Sequence, residues 1–258
     1  MSKIHEKALV DPSASVADDV EIGAFSIVGP KVTIGPGCRI GPHVVLTGRT
    51  TLGENNRIYQ FASIGEEPQD KKYDGEDTEL IIGDNNTIRE LCTFSRGTIQ
   101  GGGKTIIGNN NWIMACVHIA HDCVLGDNII MANNASLAGH VTVGNWAILS
   151  GYSLIHQFCN VGEHSFTSFA SHVNQSIPPY VTVSGEKARP KGVNTEGLKR
   201  RGYSKEQIQD VRRAYRVLYR SGLSLEEARE KLVEMAEESD AVQPLVAFLD
   251  TTEKSLIR

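Results

Sequence analysis

The fold is decided by residues 119–137, which read IAHDCVLGDNIIMANNASL. A large aliphatic side chain or methionine recurs at every sixth position of this stretch, at Ile119, Leu125, Met131 and Leu137. A period of six matches neither the period of an α-helix, about 3.6, nor that of a half-buried strand, about 2. It is typical of a hexapeptide parallel β-helix, in which each unit forms one short strand and one turn.

The same spacing extends well beyond that stretch. Twelve consecutive positions from Ile107 to Val173 keep the phase, with Thr167 as the one polar exception, and an earlier run of ten extends from Val10 to Ile64. Three hexapeptides would complete one triangular coil, so that each inward side chain stacks on the next coil about 4.8 Å away. We expect the glycine that often follows the inward residue to turn the corner through an unusual φ.

Two interruptions predict loops that leave a corner of the shaft. The phase is kept across residues 70–81, which predicts a charged insertion there, and it slips by one residue near 100–106, which predicts a second loop. Loops on a rigid scaffold commonly carry function.

After residues 178–179 the six-residue spacing stops and helical signals replace it. Capping boxes that begin at Ser204 and Ser224 predict two helices, and Pro244 suits the first turn of a third helix that reaches Lys254. The predicted organisation is mainly β: a parallel β-helix over residues 1–190, followed by a small α-helical domain over residues 191–258.

The composition favours a cytoplasmic protein. Residues 1–7 contain no apolar signal region, and no stretch is apolar enough to span a bilayer. The five cysteines have no metal-type spacing, which indicates small core residues in a reducing compartment.

The charge is unevenly distributed. The net charge is −5, yet residues 187–220 carry eleven Lys or Arg against three acidic residues. A basic face on an acidic protein indicates an acidic partner, with nucleic acid and a carrier protein both possible. The alternative is a solvated helix surface.

Four of the eight histidines fall between residues 118 and 156. On the six-residue grid His121, Gly139 and Gln157 stack on one another, His140 and His156 flank that column, and His118 stands at the preceding corner. Imidazole is the usual general base near neutral pH, and Asp122 would orient or polarise His121. A set of satisfied surface histidines fits this cluster poorly.

Several motifs together resemble the UDP-N-acetylglucosamine acyltransferases of lipid A biosynthesis over essentially the whole chain. These motifs are His118-Ile119-Ala120-His121-Asp122-Cys123, Leu137-Ala138-Gly139-His140-Val141, Ile155-His156-Gln157-Phe158-Cys159, Arg96-Gly97-Thr98 and Asn194-Thr195-Glu196-Gly197-Leu198-Lys199-Arg200-Arg201-Gly202. The resemblance implies a left-handed parallel β-helix and a homotrimer with active sites between neighbouring shafts. It also implies transfer of an (R)-3-hydroxyacyl group from acyl carrier protein to the 3-hydroxyl of UDP-N-acetylglucosamine, without a metal, another cofactor or nucleic acid.

The same resemblance assigns roles to individual residues. His121 would be the general base paired with Asp122, and the Gly139 N–H would hold the oxyanion. Three groups of substrate-binding residues would surround them: Asp70 and Lys72 on the acyl and sugar portions; His118, His140, His156 and Gln157 along the sugar and pantetheine path; Asn194, Glu196, Arg200 and Arg201 on the uridine and phosphates.

Two positions depart from the family pattern. Ser95 stands where the family usually has histidine, and Phe169 stands in a segment that is glycine-rich in the family. Phe169 lies three coils beyond Ala115 on the grid, roughly 14 Å along the shaft. It is therefore predicted to be an acyl-chain ruler that excludes donors longer than ten carbons.

Four alternatives stay open at this stage. A paralogue would act on another UDP-sugar, for example a 3-amino sugar, or with a shorter acyl donor. An acetyl-CoA-dependent hexapeptide transferase would share the shaft, and a zinc enzyme of the γ-carbonic anhydrase type would combine His118 and His121 with a neighbour's histidine. A purely structural solenoid would not need the clustered histidines.

Overall fold

A computed structural model describes residues 3–252 and 255–258, and it forms a shaft of short strands with helices at one end. The strands of the first half are β1 (Lys3–Ile4), β2 (Leu9–Val10), β3 (Ser15–Val16), β4 (Glu21–Ile22), β5 (Ile27–Val28), β6 (Thr33–Ile34), β7 (Arg39–Ile40), β8 (Val45–Leu46), β9 (Arg49–Leu52), β10 (Arg57–Ile58), β11 (Ser63–Glu66), β12 (Glu79–Ile82), β13 (Thr87–Ile88) and β14 (Thr93–Ser95). The strands that follow are β15 (Lys104–Ile107), β16 (Trp112–Ile113), β17 (His118–Ile119), β18 (Val124–Leu125), β19 (Ile130–Met131), β20 (Ser136–Leu137), β21 (Thr142–Val143), β22 (Ile148–Leu149), β23 (Leu154–Ile155), β24 (Asn160–Val161), β25 (Phe166–Thr167), β26 (His172–Val173), β27 (Val181–Ser184) and β28 (Arg189–Val193).

Every third strand joins the same sheet, so that three sheets enclose one shaft. Sheet 1 begins β1-β4-β7, sheet 2 begins β2-β5-β8, and sheet 3 contains β3-β6-β9, and each continues with the same step as far as β26. Strand neighbours in the shaft are parallel, as in the pairing of Ile40 with Ile58. The parallel β-helix and the helical C-terminal part are both confirmed. We name the turns between sheets by the sheets they join: corner 1–2, corner 2–3 and corner 3–1.

The core is the stack of inward residues predicted from the six-residue spacing. All twelve positions from Ile107 to Val173 are buried. The polar exception, Thr167, is fully buried and keeps its hydroxyl paired, because Thr167 Oγ1 lies 2.6 Å from Ser153 Oγ and accepts from the Ser150 N–H at 3.0 Å. Local repacking therefore accommodates this threonine in the shaft.

The corners are turned differently from our expectation. The left-handed φ falls three residues after the inward residue, on side chains such as Asp122 (φ 60°) and His140 (φ 61°). The glycine directly after the inward residue instead lets the backbones of neighbouring coils approach each other closely. A Cβ on Gly35, for example, would lie 2.5 Å from the Gly53 carbonyl oxygen of the next coil. The prediction that this glycine supplies the unusual φ is wrong.

Both predicted loops are present. The first, expected at residues 70–81, lies between β11 and β12, so residues 79–81 belong to a strand. The second, expected near 100–106, lies between β14 and β15, contains a single 3₁₀ turn (Ile99–Gly101), and leaves residues 104–106 in a strand.

Arg96 anchors the first loop to the shaft. Its Nη1 donates to the Gly65 carbonyl at 2.6 Å and its Nη2 to the Tyr73 hydroxyl at 2.9 Å. The Tyr73 hydroxyl in turn donates to the Glu76 carbonyl at 2.7 Å. The Arg96 side chain is only 10% exposed, so these hydrogen bonds are buried. They hold the loop that carries Asp70 and Lys72 against the shaft.

The C-terminal part begins with an antiparallel hairpin, β27–β28, that extends sheet 1. The four helices that follow are α1 (Thr195–Arg200), α2 (Lys205–Arg220), α3 (Leu225–Glu238) and α4 (Gln243–Thr251). Both predicted capping boxes, at Ser204 and Ser224, are formed. α4 has a proline in its first turn, as predicted, whereas the predicted end at Lys254 lies outside the described residues.

Candidate active site

The centre of the site is a histidine–aspartate pair at corner 2–3, between β17 and β18. Nδ1 of His121 lies 2.7 Å from Oδ2 of Asp122. The His121 side chain is 16% exposed and that of Asp122 is 1% exposed. Asp122 has a left-handed φ of 60°, and its carboxylate meets the imidazole of the preceding residue. The pair therefore leaves Nε2 of His121 as the ring nitrogen that can meet a substrate proton.

The Asp122 carboxylate is held by the second loop. The Thr98 N–H donates to Oδ1 at 2.7 Å and the Thr98 hydroxyl to Oδ2 at 2.6 Å. The Asp122 N–H donates to the Thr105 hydroxyl at 2.8 Å, and a Cβ on Gly101 would lie 2.1 Å from the Asp122 carboxyl carbon. These hydrogen bonds fix the orientation of the carboxylate relative to His121.

Gly139 lies one coil beyond His121 and directly over its ring. A Cβ at residue 139 would lie 2.6 Å from Cε1 and 2.9 Å from Nε2 of His121, so a larger residue would displace the imidazole. Among hydrogen bonds between described residues, the Gly139 N–H donates to no acceptor. That N–H is therefore placed next to the base and able to donate to an oxyanion.

Two further histidines adjoin the pair. His140 Nε2 lies 3.7 Å from Oδ2 of Asp122, and its ring stacks on Phe158 at a centroid distance of 4.5 Å. Burial lowers the pKa of His140, which the charge on Asp122 opposes. His118 Nδ1 lies 2.8 Å from the Thr93 hydroxyl, and burial lowers its pKa as well. Both rings are thus kept neutral near pH 7, suited to hydrogen bonding with a polar substrate.

The remaining candidates on this side are more exposed. His156 and Gln157 are exposed on the coil beyond Gly139, with His156 Nδ1 3.2 Å from the Gln157 carbonyl. Asp70 is half-buried in the first loop and accepts from the Lys72 N–H at 3.0 Å, while the Lys72 side chain is exposed. Burial lowers the pKa of His140, and the negative charge of Asp70 is one of the charges that oppose this effect. Asp70 therefore acts electrostatically on that ring.

The four candidates for nucleotide binding lie at a different corner. Asn194 caps the start of α1 by accepting from the Gly197 N–H at 3.1 Å, and Arg201 caps its end. Arg201 Nη1 lies 3.0 Å from Nδ1 of His164, at corner 3–1. Glu196 forms an exposed ion pair with Lys199, and Arg200 is exposed. The fold of one chain therefore does not bring this group together with His121.

The two departures from the family pattern have distinct surroundings. Ser95 is 4% exposed in β14. Phe169 is 70% exposed, with its ring 5.6 Å from that of Tyr152 and its edge 3.1 Å from where a Gly151 Cβ would be. A large apolar ring left in contact with solvent on the outside of the shaft is available to meet an acyl chain.

The ring and carboxylate atoms of His121, Asp122 and His140 lie within 4.8 Å of one another, a set that could hold a metal ion. Two ligands of tetrahedral zinc, each at about 2.0–2.1 Å, are about 3.3 Å apart. The separation of 2.7 Å between His121 Nδ1 and Asp122 Oδ2 is that of a hydrogen bond. The geometry therefore fits a polarised imidazole better than a metal ligand pair.

Some residues of the site were not singled out from the sequence. Thr98 was part of a family motif but had no assigned role, and it reaches Asp122 through the second loop, which no index along the grid predicts. Thr105 lies in β15, about one coil before Asp122, and had no assigned role either. His164 lies outside the histidine cluster that the sequence points to, yet it is 7% exposed and hydrogen-bonded to Arg201. Its only sequence signal was its place at a corner, three residues after the inward Val161.

Fold and site together define a hexapeptide-repeat transferase with a histidine–aspartate pair on its shaft. Residues 13–48 and 104–139 match the hexapeptide repeats of bacterial transferases, and residues 177–257 match domain 2 of UDP N-acetylglucosamine O-acyltransferase.

Relatives match over the full length. The chain is 57% identical to the acyl-[acyl-carrier-protein]–UDP-N-acetylglucosamine O-acyltransferase of Thiobacillus denitrificans and 54% identical to that of Herminiimonas arsenicoxydans, with 100% of both chains covered in each case. The chain therefore belongs to the UDP-N-acetylglucosamine O-acyltransferase family.

Solved structures agree with this assignment. The crystal structure of the Moraxella catarrhalis UDP-N-acetylglucosamine O-acyltransferase has a TM-score of 0.98 at 45% identity, covering 99% of this chain and all of that one. The Acinetobacter baumannii structure has a TM-score of 0.97 at 46% identity, with the same coverage. Within the described residues, no helix has the length and apolar character needed to cross a membrane.

Proposed function

We propose that the protein transfers an (R)-3-hydroxyacyl group from acyl carrier protein to the 3-hydroxyl of UDP-N-acetylglucosamine, the first step of lipid A biosynthesis. The observation that carries the proposal is the His121–Asp122 pair with Gly139 beside it. Full-length relatives are named acyl-[acyl-carrier-protein]–UDP-N-acetylglucosamine O-acyltransferase, which agrees with this donor and acceptor. A base and an oxyanion donor next to each other are what acyl transfer from a thioester requires.

His121 is the general base of the proposed reaction. Its Nδ1–H donates to Asp122, so Nε2 accepts the proton of the sugar hydroxyl as the oxygen attacks the thioester carbonyl. The C–O bond forms, and the carbonyl electrons move to an oxyanion that accepts from the Gly139 N–H. Collapse of this intermediate breaks the C–S bond, and the proton on His121 passes to the leaving thiolate of the carrier's phosphopantetheine.

The acceptor's nucleotide would bind near α1. The segment from Asn194 to Arg201 carries a capped helix start and two arginines, and guanidinium groups suit phosphate oxygens because of their fork of donors. Since this segment lies at corner 3–1 and His121 at corner 2–3, a second chain is needed to bring them together. This supports the homotrimer, with each active site between two shafts.

The donor would dock on the helical domain. A cavity of about 580 Å³ there is lined by Tyr203, Arg212, Arg213 and Arg216, among others. This basic lining suits an acidic carrier protein. The phosphopantetheine belongs to that substrate, so the reaction as proposed needs no cofactor. Within the described residues the five cysteines form no disulfide, which suits a cytoplasmic location.

Mass spectrometry of products from a panel of hydroxyacyl carrier proteins and UDP-sugars tests the proposal. We expect UDP-N-acetylglucosamine to gain one hydroxyacyl group as an alkali-labile ester. An alkali-stable amide formed only on a 3-amino UDP-sugar would show a paralogue instead. Acetyl transfer from acetyl-CoA, or activity that depends on bound zinc, would contradict the proposal in favour of another class.

A further inference from the structure

One residue of the shaft, His164, contacts both ends of helix α1. Its backbone carbonyl accepts from the Asn194 side-chain amide at 2.9 Å, and its Nδ1 lies 3.0 Å from Nη1 of Arg201. Asn194 is the N-cap of α1 and Arg201 is its C-cap. The position of this short helix relative to the shaft is therefore set at both ends by the same histidine.

The hydrogen bond to Arg201 fixes the protonation of the ring. A guanidinium group can only donate, so Nδ1 of His164 must be the acceptor and the ring proton lies on Nε2. Nε2 faces the Tyr203 hydroxyl at 3.3 Å. Burial, and secondarily the charge on Arg201, lowers the pKa of His164 to about 4, so the ring stays neutral near pH 7. The acceptor is thus present throughout the physiological range.

Aromatic neighbours fix the plane of the ring and of the guanidinium. The His164 ring is stacked between Trp146, at a centroid distance of 6.3 Å, and Tyr180, at 5.7 Å. The Arg201 guanidinium lies 5.2 Å from the centroid of the same Trp146. Arg201 is therefore held by a hydrogen bond and by a cation–π contact, which leaves little freedom in how its fork of donors points.

We propose that His164 is a positioning residue for the nucleotide of the acceptor. By taking one of the five N–H donors of Arg201, its ring orients the others toward the diphosphate. The contact with Asn194 is made by the backbone carbonyl and stays in every variant at position 164. The proposal rests on the proposed function, in which this segment binds the UDP-sugar. A simple packing role for His164 predicts lost stability without a selective effect on nucleotide binding.

The test compares three variants of the full chain. His164→Phe keeps an aromatic ring between Trp146 and Tyr180 but cannot accept from Arg201. His164→Asn restores an acceptor at the position of Nδ1 and suits the left-handed φ of 55°. His43→Phe is the matched control, because His43 has a φ of 56° and stacks between Phe25 and Phe61 at another corner.

We expect His164→Phe to weaken UDP binding and to raise the KM for UDP-N-acetylglucosamine about tenfold or more, the usual effect of losing a hydrogen bond to a charged group. The kcat and the KM for the acyl carrier protein should stay within about threefold. His164→Asn should recover most of the UDP affinity, measured by calorimetry, and His43→Phe should behave as wild type. In an Arg201→Ala background, His164→Phe should add little further loss, because the two residues act together.

Wild-type UDP affinity in His164→Phe would overturn the inference, as would equal losses for both substrates. If the losses of UDP affinity in His164→Phe and Arg201→Ala simply add in the double variant, the inference is also overturned. If His164→Phe does not fold, His164→Leu takes its place in this double-mutant comparison. Failure of the proposed function gives a different result, since the wild type would then neither bind UDP nor acylate the UDP-sugar.

Discussion

Thr98 holds the Asp122 carboxylate with two donors, its backbone N–H on Oδ1 at 2.7 Å and its hydroxyl on Oδ2 at 2.6 Å. Oδ2 is also the atom that faces Nδ1 of His121. The second loop, which breaks the six-residue spacing, thus determines how the proposed base is oriented.

Removing the Thr98 hydroxyl should lower catalysis without removing the base. In Thr98→Val the Asp122 carboxylate loses one buried donor, so we expect kcat to fall about tenfold, with an unchanged KM for the nucleotide sugar. Thr98→Ser, which keeps the hydroxyl, is the control, and steady-state kinetics is the measurement. Equal rates for wild type and the valine variant would show that the backbone N–H suffices.

Phe169 should set the upper limit of donor length. Wild type is expected to prefer donors of ten carbons or fewer, and Phe169→Gly to shift the preference to longer chains, because each methylene buried in the freed space contributes about 0.8 kcal/mol. Phe61→Gly removes an exposed ring on the fourth coil, between β10 and β11, and should leave the profile unchanged. Competition between carrier proteins with different chains measures this. A wild type that already prefers fourteen carbons would remove Phe169 from this role.

The basic lining on α2 should be specific for the donor. Reversing the charge of Arg212 or Arg216 should raise the KM for acyl carrier protein more than that for the UDP-sugar. The difference should shrink as salt rises, since exposed charges are screened over about 10 Å at 0.1 M. Lys231→Glu makes the same charge change on the neighbouring helix α3 and serves as the control. If the KM for acyl carrier protein does not depend on salt in any variant, these arginines are solvated surface charges and do not bind the donor.

His164 should make stability depend on pH in a defined window. The unfolded chain binds a proton below the ordinary histidine pKa of 6.5, whereas the folded ring resists it down to about pH 4. The free energy of unfolding should therefore fall as pH drops through this range. His164→Asn lacks this loss, while Glu163, whose pKa burial raises, is present in both proteins. Urea unfolding at pH 7, 6 and 5 measures the difference, and a gap between the proteins that stays constant with pH would contradict the assignment.

The sequence predicts the shaft well because a single spacing specifies both which residues point inward and where each coil begins. The column of His121 and Gly139 follows from that spacing alone. Contacts that depend on a loop or on the helical domain do not follow from it. Thr98 reaches Asp122 only because the second loop folds back, and Arg201 reaches His164 only after the hairpin β27–β28 has turned the chain. The left-handed backbone conformation of the corner residues does not follow from the sequence. These side chains disfavour it on their own, and only the complete stack of coils stabilises it.

The central claim is that His121 removes the proton from the acceptor hydroxyl, and single-turnover measurement of His121→Ala tests it most directly. General base catalysis contributes about 10²–10⁴-fold, so the account predicts a loss of at least about 100-fold in the acyl-transfer rate. The melting temperature and oligomeric state should be unchanged, and His5→Ala, on the first coil, should be fully active. A His121→Ala protein that keeps more than about a tenth of the wild-type rate would contradict the account.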